Sequence, residues 1–217
     1  MTPFAEKSPG MPSLIITADD YGYVAAYDEG IAEAARAGAL DAVSAMVTRG
    51  EPDPGPLAES GVVVGLHLEL EARSLDDQLT EFERRFGHPP AYLDGHHHCH
   101  ARGPAAVAVA NLARERSLPV RSVDTRHRRL LRCKGVATPD RLVGRTSEDE
   151  PALPDEVAAL GRGEGPEGVT EWMTHPGKAE AATGSRYDAA REEDLRLLLD
   201  LAGDRALRDL RTNQGSL

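Results

Sequence analysis

The sequence predicts a single-domain α/β fold with a mostly parallel sheet curved into a barrel-like form. Three observations point there. Strand-like and helix-like stretches alternate along the chain, the strands are short β-branched apolar runs suited to burial on both faces, and three of them end in residues able to bind a metal. With 217 residues, 40 % of them hydrophobic, the chain can bury one full core. Aromatic residues make up only 4 %, so Ala, Val and Leu must build most of it.

In chain order, residues 13–18 (SLIITA) read as the first strand and end in Asp19-Asp20-Tyr21-Gly22. Residues 28–37 read as a helix that Asp28 could cap and Gly38 could stop. A second strand is expected at 42–47, followed by the Pro/Gly-rich loop 51–56 and a helical turn. Residues 62–66 form a third strand ending in His67, and 76–86 a polar helix. Residues 91–94 lead into His96-His97-His98-Cys99-His100, and 105–116 form an Ala-rich helix. Residues 119–122 resemble a fifth, brief strand. From 124 to 165 the pattern is weak, and only a helix near 155–160 is placed. A strand at 168–173 ends in Thr174-His175-Pro176-Gly177, and helices at 188–201 and 204–211 close the chain. No internal repeat or linker interrupts this order. One domain over 13–217 is expected, after a flexible N-terminal segment over 1–12.

The formal net charge of −11 argues against a nucleic-acid partner, which requires a basic surface. One local exception is the stretch 121–145, with eight Lys or Arg; it reads as a solvated loop or as a rim that attracts an anion. Two cysteines make no disulfide framework and fit a reducing compartment. Residues 1–7 have no apolar signal core, and no apolar stretch approaches membrane-spanning length. The expectation is a cytoplasmic protein with no membrane partner.

Half of the eight histidines lie in 96–100. Neutral imidazole is a good metal ligand, and its pKa suits proton transfer. If the segment is extended, His96, His98 and His100 face one way while His97 and Cys99 face the other, so the cluster supplies one or two ligands. In α/β folds the C-terminal edge of the sheet is where ligands bind. Two carboxylates and several imidazoles delivered to that edge describe a divalent-metal site. Asp19-Asp20 taken alone is as easily a turn or helix cap. A phosphorelay receiver also carries paired acids after its first strand, but the phospho-accepting Asp it needs at the third strand end is His67 here.

These motifs together resemble the YdjC-like (ChbG-type) carbohydrate deacetylases. The matching pieces are LIITADDYG from Leu14, GLHL from Gly65, LDGHHHCH from Leu93 and THPG from Thr174. The family pattern has Asn where Thr17 stands, Phe where Tyr21 stands and Val where Cys99 stands. The stretch 69–91 is also shorter than in many relatives, which bears on the substrate cleft. The resemblance implies a distorted (β/α) barrel, one divalent ion (Mg²⁺ or Zn²⁺), a small carbohydrate substrate and, in many members, a homodimer. By position it makes Asp20, His67 and His96 the metal ligands, Asp19 the general base, and His175 a residue of the same site. His175, as a histidinium, then suits protonation of the departing amine, with His98 or His100 the alternative acids. Asp94 is expected to hydrogen-bond a ligand histidine. His97 and Cys99 are expected to be structural, with Cys99 a less favoured soft ligand for zinc. The implied activity is removal of an N-acetyl group from an amino sugar. The alternatives are hydrolysis of another amide or a phosphoester, and metal binding without catalysis.

Overall fold

The computed structural model describes residues 11–185 and 187–212. Most of the segment expected to be flexible, 1–10, lies outside the described residues. Six parallel strands form one sheet: β1 (Pro12–Tyr21), β2 (Ala42–Ala45), β3 (Val63–Leu68), β4 (Leu93–Gly95), β5 (Arg141–Val143) and β6 (Gly168–Thr174). Their spatial order is β4-β3-β2-β1-β6-β5. The sheet curls into a half-barrel wrapped by helices, and the whole is a single α/β domain. The long central strand β1 pairs with β2 on one side and with β6 over seven consecutive register partners on the other.

The helices are α1 (Ala25–Arg36), α2 (Gly55–Ala58), α3 (Leu75–Phe86), α4 (Gly103–Arg116), α5 (Thr125–Cys133), α6 (Asp155–Gly161), α7 (Asp188–Leu201) and α8 (Arg205–Thr212). Ser74 caps α3 by accepting the Asp77 N–H, and Gly87 ends it in the left-handed conformation. Helix α1 begins earlier than expected, after Val24, because Asp28 does not cap it. The Asp28 carboxylate instead accepts the Gly22 N–H at 2.5 Å and ties the helix to the loop after β1. None of the helices among the described residues is long and apolar enough to cross a membrane.

Alternation along the strands divides the core into two faces. Leu14, Ile16 and Ala18 of β1 face the helices and join the large cluster with Ile31, Val43, Leu66 and Trp172. Ile15 faces the other way, into the half-barrel, where Ala42, Tyr92, Val63 and Val169 close the bottom as an apolar plug. Above this plug the interior turns polar: Ser44, Glu171, Asp94, Asp19 and His67 are all buried there. The transition runs through Tyr92. Its ring rests on the plug while its hydroxyl hydrogen-bonds Ser44 at 2.8 Å.

Three expectations need correcting. Residues 119–122 contribute only one bridge, Leu93 to Val120, because the chain turns away into α5 at Asp124. Helix α5 and strand β5 both lie in the stretch where the pattern was weak. Their charged residues, five Arg in Thr125–Leu142 among them, hide the apolar period, although Leu131 is fully buried. The histidine segment is not extended, as described below.

Gly65 is where this packing is least tolerant. A Cβ there would lie 2.4 Å from the Tyr92 ring, which is itself fully buried. Adding a methyl group to a strand usually helps, but overpacking a closed core costs about 1–3 kcal/mol. Gly65→Ala is therefore expected to lower stability by about that amount in urea unfolding; equal or higher stability would show that Tyr92 can move.

Candidate active site

The two aspartates at the end of β1 serve one rim because the backbone changes hand between them. A regular strand would send Asp19 and Asp20 to opposite faces. Asp20 has φ of 72°, a left-handed value that Asp tolerates better than branched residues do. Both carboxylates then come within reach of His67.

Asp20, His67 and His96 converge. Asp20 Oδ1 lies 3.0 Å from His96 Nδ1 and 3.5 Å from His67 Nε2, and all three donor atoms are within 4.8 Å of one another. A tetrahedron of 2.0–2.1 Å bonds has edges of about 3.3 Å, so the separations fit a small divalent ion. The remaining polar atoms are already assigned. His67 Nδ1 donates to Asp94 Oδ1 at 2.8 Å, which orients the ring with Nε2 toward the site. Asp20 Oδ2 accepts from Arg191 Nη2 at 2.5 Å, and the Arg191 guanidinium lies 3.6 Å from the Tyr27 ring centre. Burial raises the Asp20 pKa, but hydrogen bonds from His67 and His96 and the Arg191 charge outweigh it and hold the carboxyl well below its usual range. Burial lowers the His67 pKa, but the charges of Asp94 and Asp19 and two carboxylate hydrogen bonds reverse this and hold it well above the usual value.

The histidine cluster reaches the site differently from the extended reading. Residues His96–Ala101 form a tight 3₁₀ turn, with φ of 49° at His97 and 58° at His98. The period-two grouping of His96, His98 and His100 is lost. His96 alone of the cluster joins Asp20 and His67, and its ring packs on His97 at 4.0 Å. His100 is fully buried and its Nε2 donates to the Arg121 carbonyl at 3.1 Å. Burial pushes His98 down to about 4 and His100 down to about 3. Cys99 donates to the Leu68 carbonyl at 3.1 Å and belongs to none of the grouped metal donors.

Asp19 also lies within reach of His67, and with His67 and Asp94 it makes a second group of possible metal donors, but its oxygens are engaged elsewhere. Both of its oxygens accept from Arg121, Nη1 to Oδ2 at 2.7 Å and Nη2 to Oδ1 at 2.8 Å. The same guanidinium reaches Asp94 Oδ2 at 3.0 Å and, through Nε, Glu171 Oε1 at 2.9 Å. Arg121 is fully buried, and so are Asp94 and Glu171. Arg121, read in the sequence as part of a solvated or anion-attracting stretch, is therefore the centre of a buried ion cluster. Arg145, at the other end of that stretch, is also buried and pairs with Glu193 and Asp194.

His175 immediately follows β6 on the same edge. Its N–H donates to Asp194 Oδ2 at 2.9 Å, its ring stacks on Tyr187 at 4.9 Å, and its Nδ1 is buried without a hydrogen-bond partner. The expected histidinium is not its resting form. Burial pushes its pKa down to about 4 despite the charges of Asp20 and Asp19.

Arg121, Glu171, Arg191 and Tyr187 were missed in the sequence. For Glu171 a signal exists: it is a lone charge inside an apolar-leaning strand, at the parity that points inward. Arg121 carries the same signal in a weaker strand. Arg191 and Tyr187 come from the closing helix and its approach, where nothing in the pattern marks them.

The family model described as YdjC-like protein matches residues 13–74 and 72–209. The chain is similar to a carbohydrate deacetylase of Thermoanaerobacter pseudethanolicus, 25 % identical over 237 residues, covering 88 % of this chain and 92 % of that one. A carbohydrate deacetylase of Geobacillus stearothermophilus is 28 % identical over 229 residues, covering 86 % and 89 %. A chitooligosaccharide deacetylase of Yersinia pestis is 28 % identical over 149 residues, covering 50 % and 58 %. Among solved structures, one from Enterococcus faecalis, provisionally described as a cellobiose-phosphate cleavage protein, superposes with a TM-score of 0.74. It is 22 % identical and covers 93 % of this chain and 96 % of that one, a likeness of fold.

The buried cluster makes stability depend on pH through Glu171. Burial pushes its pKa from 4.5 up to about 7, with the Arg121 charge only partly opposing. Between these values the folded state binds more protons than the unfolded one, so stability falls as pH rises. The contribution is full below about 4.5 and gone above about 7. Glu171→Gln keeps an oxygen for Arg121 Nε and cannot titrate. Thermal unfolding across that window should show the wild type losing on the order of 3 kcal/mol relative to this variant. A constant difference between the two would mean that Glu171 does not change protonation there.

Proposed function

The chain belongs to the YdjC-like family, and on that premise we propose that it is a divalent-metal-dependent hydrolase that removes the N-acetyl group from an amino-sugar-containing mono- or oligosaccharide. One observation carries this reading: a donor triad of Asp20, His67 and His96 stands beside a second carboxylate, Asp19, whose two oxygens are both held by Arg121. A site that merely binds a metal gains little from such a residue.

A bound Mg²⁺ or Zn²⁺ would polarise the amide carbonyl and acidify water. Asp20, His67 and His96 are the residues that would hold it. Asp19 is the general base. The Arg121 fork fixes both of its oxygens, and their remaining lone pairs are free to take a proton from the attacking water. The water oxygen bonds to the carbonyl carbon, the C–N bond breaks, and the nitrogen must leave with a proton. His175 delivers it. Because burial disfavours its charged form, this imidazole takes a proton from solvent water only as negative charge builds beside it, and passes it to the nitrogen. Asp19 returns the attacking water's proton to solvent after the C–N bond breaks. Acetate and a sugar with a free amine are the products. The free cysteines Cys99 and Cys133 fit a reducing compartment, and the reading places the enzyme in the cytoplasm.

The reading is tested by a mass-spectrometric screen of N-acetylated mono- and disaccharides with added Mg²⁺, Zn²⁺, Mn²⁺ or Co²⁺; no acetate from any of them would reject it. His67→Ala should lower metal occupancy at least tenfold by elemental analysis. Asp19→Asn should keep the metal and lose about 10²–10⁴-fold in turnover. Loss of metal in Asp19→Asn with retention in Asp20→Asn would reverse the two roles. His175→Gln should retain metal and be impaired far more on an N-acetyl sugar than on an aryl acetate, whose leaving group departs unprotonated. Equal loss on both would remove the acid role.

A further inference from the structure

Three loops at the C-terminal edge of the sheet meet beside His96 and build a polar surface that the proposed chemistry does not use. Tyr23 follows β1, Arg49 follows β2 and Glu69 follows β3. The Tyr23 ring lies 5.7 Å from that of His96, and the Arg49 guanidinium sits 4.3 Å over Tyr23. Arg49 donates through Nε to Glu69 Oε1 at 2.9 Å and also through Nη2, while Thr48 donates to Glu69 Oε2 at 2.6 Å.

This surface is scaffolded from below. Gln78, fully buried, clamps the Glu69 backbone by accepting its N–H and donating to its carbonyl. The loops after β1 and β2 are joined by Gly50 N–H to Gly22 O at 2.9 Å. Gly22 has φ of 89°, and a Cβ there would lie 2.6 Å from the Met46 carbonyl. The side chains above remain accessible, 39 % for Arg49 and 13 % for Glu69. A rigid base under open polar groups is the construction of a binding surface.

Resting on the deacetylase reading, we propose that Tyr23, Arg49 and Glu69 form the subsite that holds the sugar ring of the substrate by its neutral hydroxyl groups. The Arg49 charge is already balanced by Glu69, so the pair offers donors and acceptors with little net charge. That suits a hydroxylated ring, where one group donates to Glu69 and a neighbour accepts from the guanidinium fork. A ligand recognised by charge alone would call for an unpaired cation.

The test uses metal-loaded enzyme and three substrates: an N-acetylated glucosamine disaccharide, its 6-phosphate, and an aryl acetate. Arg49→Met, Arg49→Lys and Glu69→Gln should each raise KM for the neutral disaccharide about ten- to a hundredfold, the worth of one or two hydrogen bonds to a charged group. Its kcat should stay within about threefold, as should kcat/KM for the aryl acetate. Binding of the disaccharide followed by ligand-observed NMR should weaken in parallel. Glu69→Gln keeps the size and shape of the side chain, so its effect is not one of misfolding. Unchanged KM in all three variants, with an active wild type, overturns the subsite. So does full function in Arg49→Lys, an effect confined to the phosphorylated sugar, or equal loss on the aryl acetate. A wild type inactive on every N-acetyl sugar defeats the deacetylase reading itself, and this assignment with it.

Discussion

Arg121 holds the interior of the half-barrel together. One guanidinium, without solvent contact, satisfies carboxylates from β1, β4 and β6, and its backbone carbonyl accepts from His100. Several carboxylates brought this close in a protein interior repel one another strongly unless a cation lies among them. The planar fork provides that cation in a form with several separately directed donors, which an ammonium cannot match. Everything at the rim follows from it. Asp94 can orient His67 because its other oxygen is already occupied, and Asp19, although within reach of His67, has both of its oxygens held by the same fork.

That arrangement explains how two adjacent aspartates come to have separate surroundings. Asp20, on a left-handed residue, is turned toward His67 and His96 and steadied from behind by Arg191. Asp19, on regular strand geometry, looks into the barrel toward Arg121. The proposed division between metal binding and proton transfer rests on these separate surroundings, which one backbone dihedral and two arginines from distant parts of the chain produce.

The division between what could and could not be read from the sequence is physical. Apolar β-branched runs announce buried strands, and residues that interrupt them at a strand end announce the rim; on that basis the parallel sheet, Asp20, His67 and the neighbourhood of His175 were legible. His96 was legible as a cluster member, but the grouping by parity failed because two consecutive left-handed residues replaced the extended segment. Asp94 as the partner of His67 was visible from the same strand-end logic. Arg121 was hidden by its company. It opens a run of basic residues, most of them half-buried or exposed, and linear charge density cannot distinguish the two guanidinium groups, of Arg121 and Arg145, that turn inward. Arg191 was hidden by distance, 171 residues from the aspartate it contacts.

The half-barrel is left open, and an open parallel sheet has two edges with unpaired backbone groups. Here both edge strands, β4 and β5, are only three residues long. The β4 edge is covered by the segment at Val120, which exchanges hydrogen bonds with Leu93 through Pro119 and Arg121. The β5 edge carries Arg141, whose side chain is drawn back to Thr170, Pro166 and Glu167. Short, charged or covered edges offer little template for another strand to add. The fold can therefore keep an open side for access to its rim without becoming a nucleus for aggregation.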